Sequence, residues 1–227
     1  NSMGGAYVLQ EILGLFNMKP KKTTVAVQGF GNVGMNIARI LHEGGYKVIA
    51  VSDSKSGIYN KNGLNIKDVI SHKEKTGKIS KFKNPKNISN EDLLELKTDI
   101  LIPAALEDQI TKKNAKNIKA KIILEMANRP ITPEADEVLL KNNIFVVPDI
   151  LANAGGVVVS YFEWVQNSMN YYWSEKEVLE KLRTCMTNAV KELSKVCNDF
   201  KCDMRKSLYI NAISKILEAE RLRGNLK

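Results

Sequence analysis

Three glycines, Gly29, Gly31 and Gly34, stand at the spacing G-x-G-x-x-G, directly after a β-branched apolar run over residues 23–28. Directly after them, Ile37, Ala38 and Leu41 recur at helical spacing. A strand, such a turn and a helix in succession can hold a diphosphate: the first glycine permits the tight turn, the second lets the phosphates reach the backbone, and the third lets helix and strand pack closely. The helix N-terminus then presents free N–H groups and the positive end of its dipole to the anion. Gly29, Phe30, Gly31, Asn32, Val33 and Gly34 are therefore the candidate residues of the turn. Asp53 closes a second apolar run over residues 47–53 and lies 19 residues beyond Gly34. That is near the ~20-residue offset at which an acidic side chain accepts hydrogen bonds from the adenosine ribose of a dinucleotide. A carboxylate there favours NAD and repels the 2′-phosphate of NADP, whereas Ser54 and Lys55, next in the chain, offer a phosphate two partners if Asp53 turns away. NAD or NADP is the expected cofactor, with NAD ahead.

Other chemistry has less support. Cys185, Cys197 and Cys202 are odd in number and lack C-x-x-C spacing, so they read as free thiols in a reducing compartment, with the cytoplasm expected. His42 and His72 stand alone in helical patterns, and no metal site is expected. The net charge of +9 could attract nucleic acid, but Lys73, Lys75, Lys78, Lys81, Lys83 and Lys86 lie in a polar stretch without interleaved aromatics and read as a solvated surface. Apolar runs break well before the ~20 residues of a membrane span, so neither nucleic acid nor membrane is an expected partner. Residues 1–5 lack the basic and apolar regions of a secretory leader.

The elements that must position the turn follow from periodicity. Val8, Leu9, Ile12, Leu13 and Phe16 describe a helix buried on one face and ended by Pro20. After the strand, the turn, a helix stopped by Gly44-Gly45 and the strand at 47–53, residues 54–97 form a polar excursion with helical stretches near 66–75 and 91–96. Alternation resumes with strands at 99–102, 121–124 and 144–147, separated by a helix around 111–116 and another after Thr132-Pro133-Glu134. Strands that are continuous apolar runs, alternating with helices, indicate a doubly wound, mostly parallel α/β sheet covered on both faces. From Gly155 the pattern is helical, with one stripe of Val178, Leu182, Cys185, Ala189, Leu193 and Val196 and another of Leu208, Ala212, Ile216 and Leu217. The expected organisation is an opening helix over 1–20, a Rossmann-like dinucleotide-binding unit over 21–154, and a helical region over 155–227.

Several longer stretches carry a family likeness. Asp99-Ile100-Leu101-Ile102-Pro103-Ala104-Ala105 is one; Glu125-Met126-Ala127-Asn128, followed by Pro130-Ile131-Thr132-Pro133-Glu134-Ala135-Asp136, is another. The third is Pro148-Asp149-Ile150-Leu151-Ala152-Asn153-Ala154-Gly155-Gly156-Val157, continued by Ser160-Tyr161-Phe162-Glu163-Trp164-Val165-Gln166-Asn167. Together they resemble the glutamate dehydrogenases of hexameric bacterial and archaeal type, within the group of glutamate, leucine, phenylalanine and valine dehydrogenases. The resemblance runs from about Gly5 to the C-terminus. It implies an NAD(P)-dependent oxidoreductase that takes hydride from Cα of L-glutamate and yields 2-oxoglutarate and ammonia.

The likeness also implies roles. Asn128 and Asn153 would fix the nicotinamide end, Ala104, Ala105 and Ala127 would let backbone approach the dinucleotide, and Val157 and Ser160 would line the pocket for the glutamate side chain. The family's glycine-rich lysine motif, catalytic Lys and catalytic Asp are not found in these residues, so no catalytic residue is expected in this chain, which alone is expected to be inactive. The Ala-Thr-Gly whose Thr contacts nicotinamide is not recognisable in residues 1–5 either, and Arg129 stands where the family has Gly, placing a long cation near the groove. A homo-hexamer is implied only for the full-length polypeptide. Two alternatives remain: a branched-chain or aromatic amino-acid dehydrogenase, which needs an apolar side-chain pocket, and a non-catalytic NAD-sensing module. The aromatic group Tyr161, Phe162, Trp164, Tyr171, Tyr172 and Trp173 is read as core and domain contact.

Overall fold

The computed structural model describes residues 1–226. Helix α1 (Ser2–Leu15) opens the chain, and the expected β-branched run forms β1 (Thr24–Gln28), followed by α2 (Asn32–Glu43) and β2 (Lys47–Ser52). The polar excursion holds β3 (Gly57–Tyr59), α3 (Ile66–Thr76), β4 (Lys86–Ile88) and α4 (Asn90–Leu94). Then come β5 (Ile100–Pro103), β6 (Ile122–Leu124), α5 (Pro133–Lys141), β7 (Phe145–Val147) and the short α6 (Asp149–Ala152). Three helices close the chain: α7 (Gly155–Met169), α8 (Glu175–Phe200) and α9 (Met204–Leu222).

The strands form one sheet in the order β4-β3-β2-β1-β5-β6-β7. All pairs from β2 to β7 are parallel, as continuous apolar strands require. The sheet's two faces separate cleanly. Val25, Val27, Ile100 and Ile102 point toward a core shared with α1, α2 and α8, whereas Ala26, Ala50, Leu101 and Ile123 pack against α4 and α5. Sequence order reverses beside β1, whose neighbours are β2 on one side and β5 on the other. In open α/β sheets a ligand binds in the crevice at such a switch point, outside the carboxyl ends of the strands.

Some expected elements change. Residues 54–97 are more than an excursion, since β3 extends the sheet antiparallel to β2 and β4 pairs antiparallel to β3. Their three-residue length concealed both, and the edge strand β4 is also polar and buries little. The helix expected at 111–116 is a turn ending in a short 3₁₀ segment at Ala115–Asn117. Here Asn114 accepts the Thr111 N–H at 2.8 Å and donates to the Gln109 carbonyl, competing with helical backbone bonds. Helix α1 stops at Leu15, before Pro20, because Asn17 adopts φ 52° and the Asn17 and Met18 N–H groups turn back to Gly14 and Leu13. In α8 the inward stripe is Leu182, Met186, Val190 and Leu193; Cys185 is exposed. In α9 the stripe of Ala212, Ile216 and Leu217 faces solvent.

Helix α1 is the joint of the structure, touching α2, α6, α7 and α8. Its contact with α7 is backbone on backbone: a Cβ on Gly155 would meet the Gly4 Cα at 2.9 Å, and one on Gly4 would meet the Gly155 Cα at 2.7 Å. Since both obstacles are main chain, neither yields by a rotamer change. Gly155→Val is therefore expected to lower the free energy of unfolding by about 1–3 kcal/mol. A chemical-denaturation curve superimposable on that of the parent chain would show that this contact is looser than drawn.

Candidate dinucleotide-binding site

The three glycines of the turn meet three different constraints. Gly29 lies at φ +92°, and a Cβ there would come within 2.7 Å of the Ala105 Cβ. Gly34 packs so tightly that a Cβ would fall 1.7 Å from the Gly29 carbonyl oxygen. At Gly31 nothing lies within 4 Å of the position a Cβ would take. Two glycines thus bring main chains together, and the middle one opens space above the helix end. Gly31 is also the N-cap of α2 and supplies no side-chain cap, which leaves N–H groups of the first turn for a ligand anion.

The other turn residues divide by role. Phe30 is buried and belongs to the core, so it offers a ligand only main chain, and Val33 packs partly against the same core. Asn32 is exposed and receives the Asn36 carboxamide. Two participants were not singled out in the sequence. Ser52, at the buried end of β2, accepts the Gly29 N–H at 3.4 Å. Ser2 lies within the stretch where no Ala-Thr-Gly is recognisable, yet its hydroxyl reaches the turn and donates to the Val33 carbonyl at 3.1 Å. Only the folding of α1 over α2 reveals it.

Asp53 follows the end of β2, and its carboxylate is already engaged. Oδ1 accepts the Lys55 and Ser56 N–H groups at 2.9 and 3.0 Å, and Oδ2 accepts the Ile79 N–H at 3.0 Å. Burial pushes the carboxyl up, but these three donors and the nearby Lys73 ammonium outweigh it, leaving Asp53 below the usual carboxylate range. Oδ2 retains acceptor capacity for a ribose hydroxyl. Ser54 and Lys55 are exposed beside it. Lys73, expected among solvated lysines, is instead half-buried; its ammonium bonds the Phe30 carbonyl and stands 5.6 Å from the Phe30 ring centre. A cation was legible there, but its distance from the turn in sequence hid the contact.

On the other side of the switch point, the Ala104 N–H donates to the Gln28 carbonyl at 2.8 Å, and the Met126 and Ala127 N–H groups both donate to the Pro103 carbonyl. Ala104, Ala105 and Ala127 thereby gather at the carboxyl ends of β5 and β6. Beyond them Asn153 Nδ2 donates to Asn128 Oδ1 at 2.7 Å, joining the two asparagines expected at the nicotinamide end. Val157 and Ser160 follow on α7 with helical spacing and are both exposed. Arg129 adopts φ 44° and pairs with Glu107 at 3.1 Å and Asp108 at 3.8 Å. Its charge is therefore held by acids on the surface.

The aromatic group divides between core and surface. Phe162 is buried and Trp173 half-buried, stacked edge-on at 5.7 Å, while Tyr161, Trp164, Tyr171 and Tyr172 are exposed. A cavity of about 490 Å³ between α7 and α8 is lined by Tyr161, Phe162, Trp173 and Lys181, away from the glycine turn. Among the described residues no His, Cys, Asp or Glu cluster suits a metal ion, and no helix is long and apolar enough to cross a membrane.

A seven-stranded, mostly parallel sheet with a glycine turn at its switch point defines a doubly wound domain of dinucleotide-binding type. Residues 1–224 match the Glutamate/Leucine/Phenylalanine/Valine dehydrogenase family, and the chain belongs to that family. It is 44% identical to an NADP-specific glutamate dehydrogenase of Synechocystis sp., over 97% of this chain and 54% of that protein. With a cryptic catabolic NAD-specific glutamate dehydrogenase of Bacillus subtilis it shares 46% identity, over 90% of this chain and 48% of that protein. The hetero-hexameric glutamate dehydrogenase of Thermus thermophilus superimposes with a TM-score of 0.91 at 31% identity, covering 98% of this chain and 52% of that one. The chain spans about half the length of the curated relatives it matches.

The Asp53 geometry carries a pH consequence. A carboxyl held below its unfolded value contributes stability above about pH 4, and that contribution disappears as the pH falls through the lower folded value. Asp53→Asn keeps the Oδ1 bonds but turns an amide toward the Ile79 N–H, and is expected to lose about 1–3 kcal/mol at neutral pH. In thermal melts the gap between variant and parent should close as the solution is acidified below about pH 4; a gap that stays constant to acid would refute the role given to this carboxylate.

Proposed function

We propose that this chain is the cofactor-binding part of an NAD(P)-dependent glutamate dehydrogenase. In the complete protein L-glutamate, water and oxidised cofactor would give 2-oxoglutarate, ammonia and reduced cofactor. The observation that carries the reading is the turn: a buried pair of glycines draws α2 against β1, while Gly31 leaves open space at an uncapped helix N-terminus. The cofactor brings the redox chemistry, and this chain's part is to hold and orient it. Diphosphate would lie against the α2 amides, the adenosine ribose against Asp53, and nicotinamide near Asn128 and Asn153, with Ala104, Ala105 and Ala127 as small neighbours.

Glutamate is preferred over apolar amino acids because Val157 and Ser160 share an exposed helix face on which the Ser160 hydroxyl can meet a distal carboxylate. Relatives specific for NADP and for NAD are both similar to this chain. We assign NAD the higher affinity because Asp53 keeps acceptor capacity where a 2′-phosphate would bring negative charge. Cytoplasmic location and a hexamer of full-length chains complete the reading, with residues 1–20, 21–154 and 155–227 as opening helix, dinucleotide unit and helical region. Residues 1–227 alone are expected not to turn over glutamate, since they contain no recognisable counterpart of the family's catalytic Lys and Asp.

Calorimetric titration of the chain with NAD and with NADP tests this directly. Saturable binding of both, tighter for NAD, is expected, and Gly31→Asp, which sets a carboxylate where the diphosphate lies, should weaken NAD at least about tenfold. Binding of neither cofactor by the parent chain, or unchanged binding by Gly31→Asp, would reject the reading.

A further inference from the structure

Glu125 directly follows β6 with a fully buried side chain, and the proposed binding roles leave it unused. Its partner comes from the far end of the chain: Arg205, at the start of α9, donates from Nη2 to Glu125 Oε1 at 2.8 Å. The same guanidinium donates from Nε to Asp136 Oδ2 at 2.7 Å and lies 3.9 Å from Asp149 Oδ1. One cation thus serves three carboxylates on three elements, and burial pushes the Glu125 carboxyl up against that pull.

The carboxylates extend the contact toward the nicotinamide end. Glu125 Oε2 accepts the Asp149 N–H at 2.8 Å and so fixes the start of α6. Asp149 Oδ2 accepts the Arg129 N–H at 2.8 Å, holding the turn that carries Asn128, and the Asp149 carbonyl accepts the Asn153 N–H at 2.9 Å. Asn128 and Asn153, bonded to each other, are therefore both placed by Asp149, which Glu125 and Arg205 place in turn. Nothing in this chain of bonds passes through the glycine turn. We infer that Arg205 is a positioning residue: by docking α9 on Glu125 and Asp149 it sets the Asn128–Asn153 pair for the nicotinamide while leaving the diphosphate site untouched. The inference rests on the cofactor reading above.

The test compares NAD with ADP-ribose, which keeps the adenosine and diphosphate but lacks nicotinamide. Arg205→Lys retains the charge but cannot engage three carboxylates in a planar fork. It should weaken NAD about tenfold, the loss of roughly one well-made hydrogen bond, and leave ADP-ribose unchanged. Asp136→Asn changes a carboxylate that makes none of the bonds running from Glu125 through Asp149 to the asparagines, and should leave the ratio of the two affinities as in the parent. Should Arg205→Lys not fold, Glu125→Gln, which keeps only one of the two Glu125 bonds properly paired, reads the same split. Equal weakening of NAD and ADP-ribose, an unchanged ratio in a folded variant, or equal affinities in the parent chain would each overturn the positioning role. A parent chain that binds neither ligand would instead overturn the cofactor reading itself.

Discussion

A contact between two stretches of main chain governs the rest of the structure. With any Cβ at residue 34, α2 would have to retreat from the Gly29 carbonyl, because 1.7 Å leaves no room for adjustment. The amide groups at its N-terminus would leave the carboxyl edge of the sheet together with it. Gly29, in turn, is pressed by Ala105, so the segment after β5 comes alongside the turn only because residue 29 has no side chain and tolerates φ +92°. Three backbones meet at the point where strand order reverses, and Gly31 is the one position there that faces open space.

Helix α1 makes this arrangement common to both sides of the site. Ser2 bonds the first turn of α2, while a Cβ on Gly5 would meet Met126 Sδ at 2.4 Å and the Ala152 carbonyl oxygen at 3.1 Å. The same turns of one helix therefore touch α2, the segment after β6 and the end of α6. Small residues are needed at each contact, since α1 runs behind the groove at backbone distance from α7. Helix α8 then covers α1 and α9 covers α8, so the C-terminal helices are layered on the site through α1, with Arg205 as a separate polar tie.

Much of this was legible because it is local. The first apolar strand, the glycine spacing and the helix after Gly34 lie within about twenty residues of one another, and each imposes its own periodicity. What escaped was short or distant. Strands of three residues have too little length to show alternation, and β4 has too little burial to need it. The Asn114 side chain replaced a helix with a turn through bonds that composition does not announce. Lys73 is 43 residues from Phe30, and Arg205 is 80 from Glu125; pairings of that range follow from topology alone. The stripe on α9 was real as periodicity but not as burial, because among the described residues Ala212, Ile216 and Leu217 stay exposed.

Under the proposed cofactor reading, one carboxylate and one ammonium bear on the choice between NAD and NADP. For Ser54 and Lys55 to grip a 2′-phosphate, Asp53 would have to swing aside and surrender the Lys55, Ser56 and Ile79 amides. Each is a bond to a charged acceptor worth about 1.5–3 kcal/mol, so the swing costs several kcal/mol. In that reading, a carboxylate fixed in place opposes a second negative charge. Lys73 works against it: its ammonium lowers the Asp53 pKa while bonded to the Phe30 carbonyl, and so brings positive charge to the ribose end. Under the proposed reading, then, Lys73 as well as Asp53 bears on the choice of cofactor.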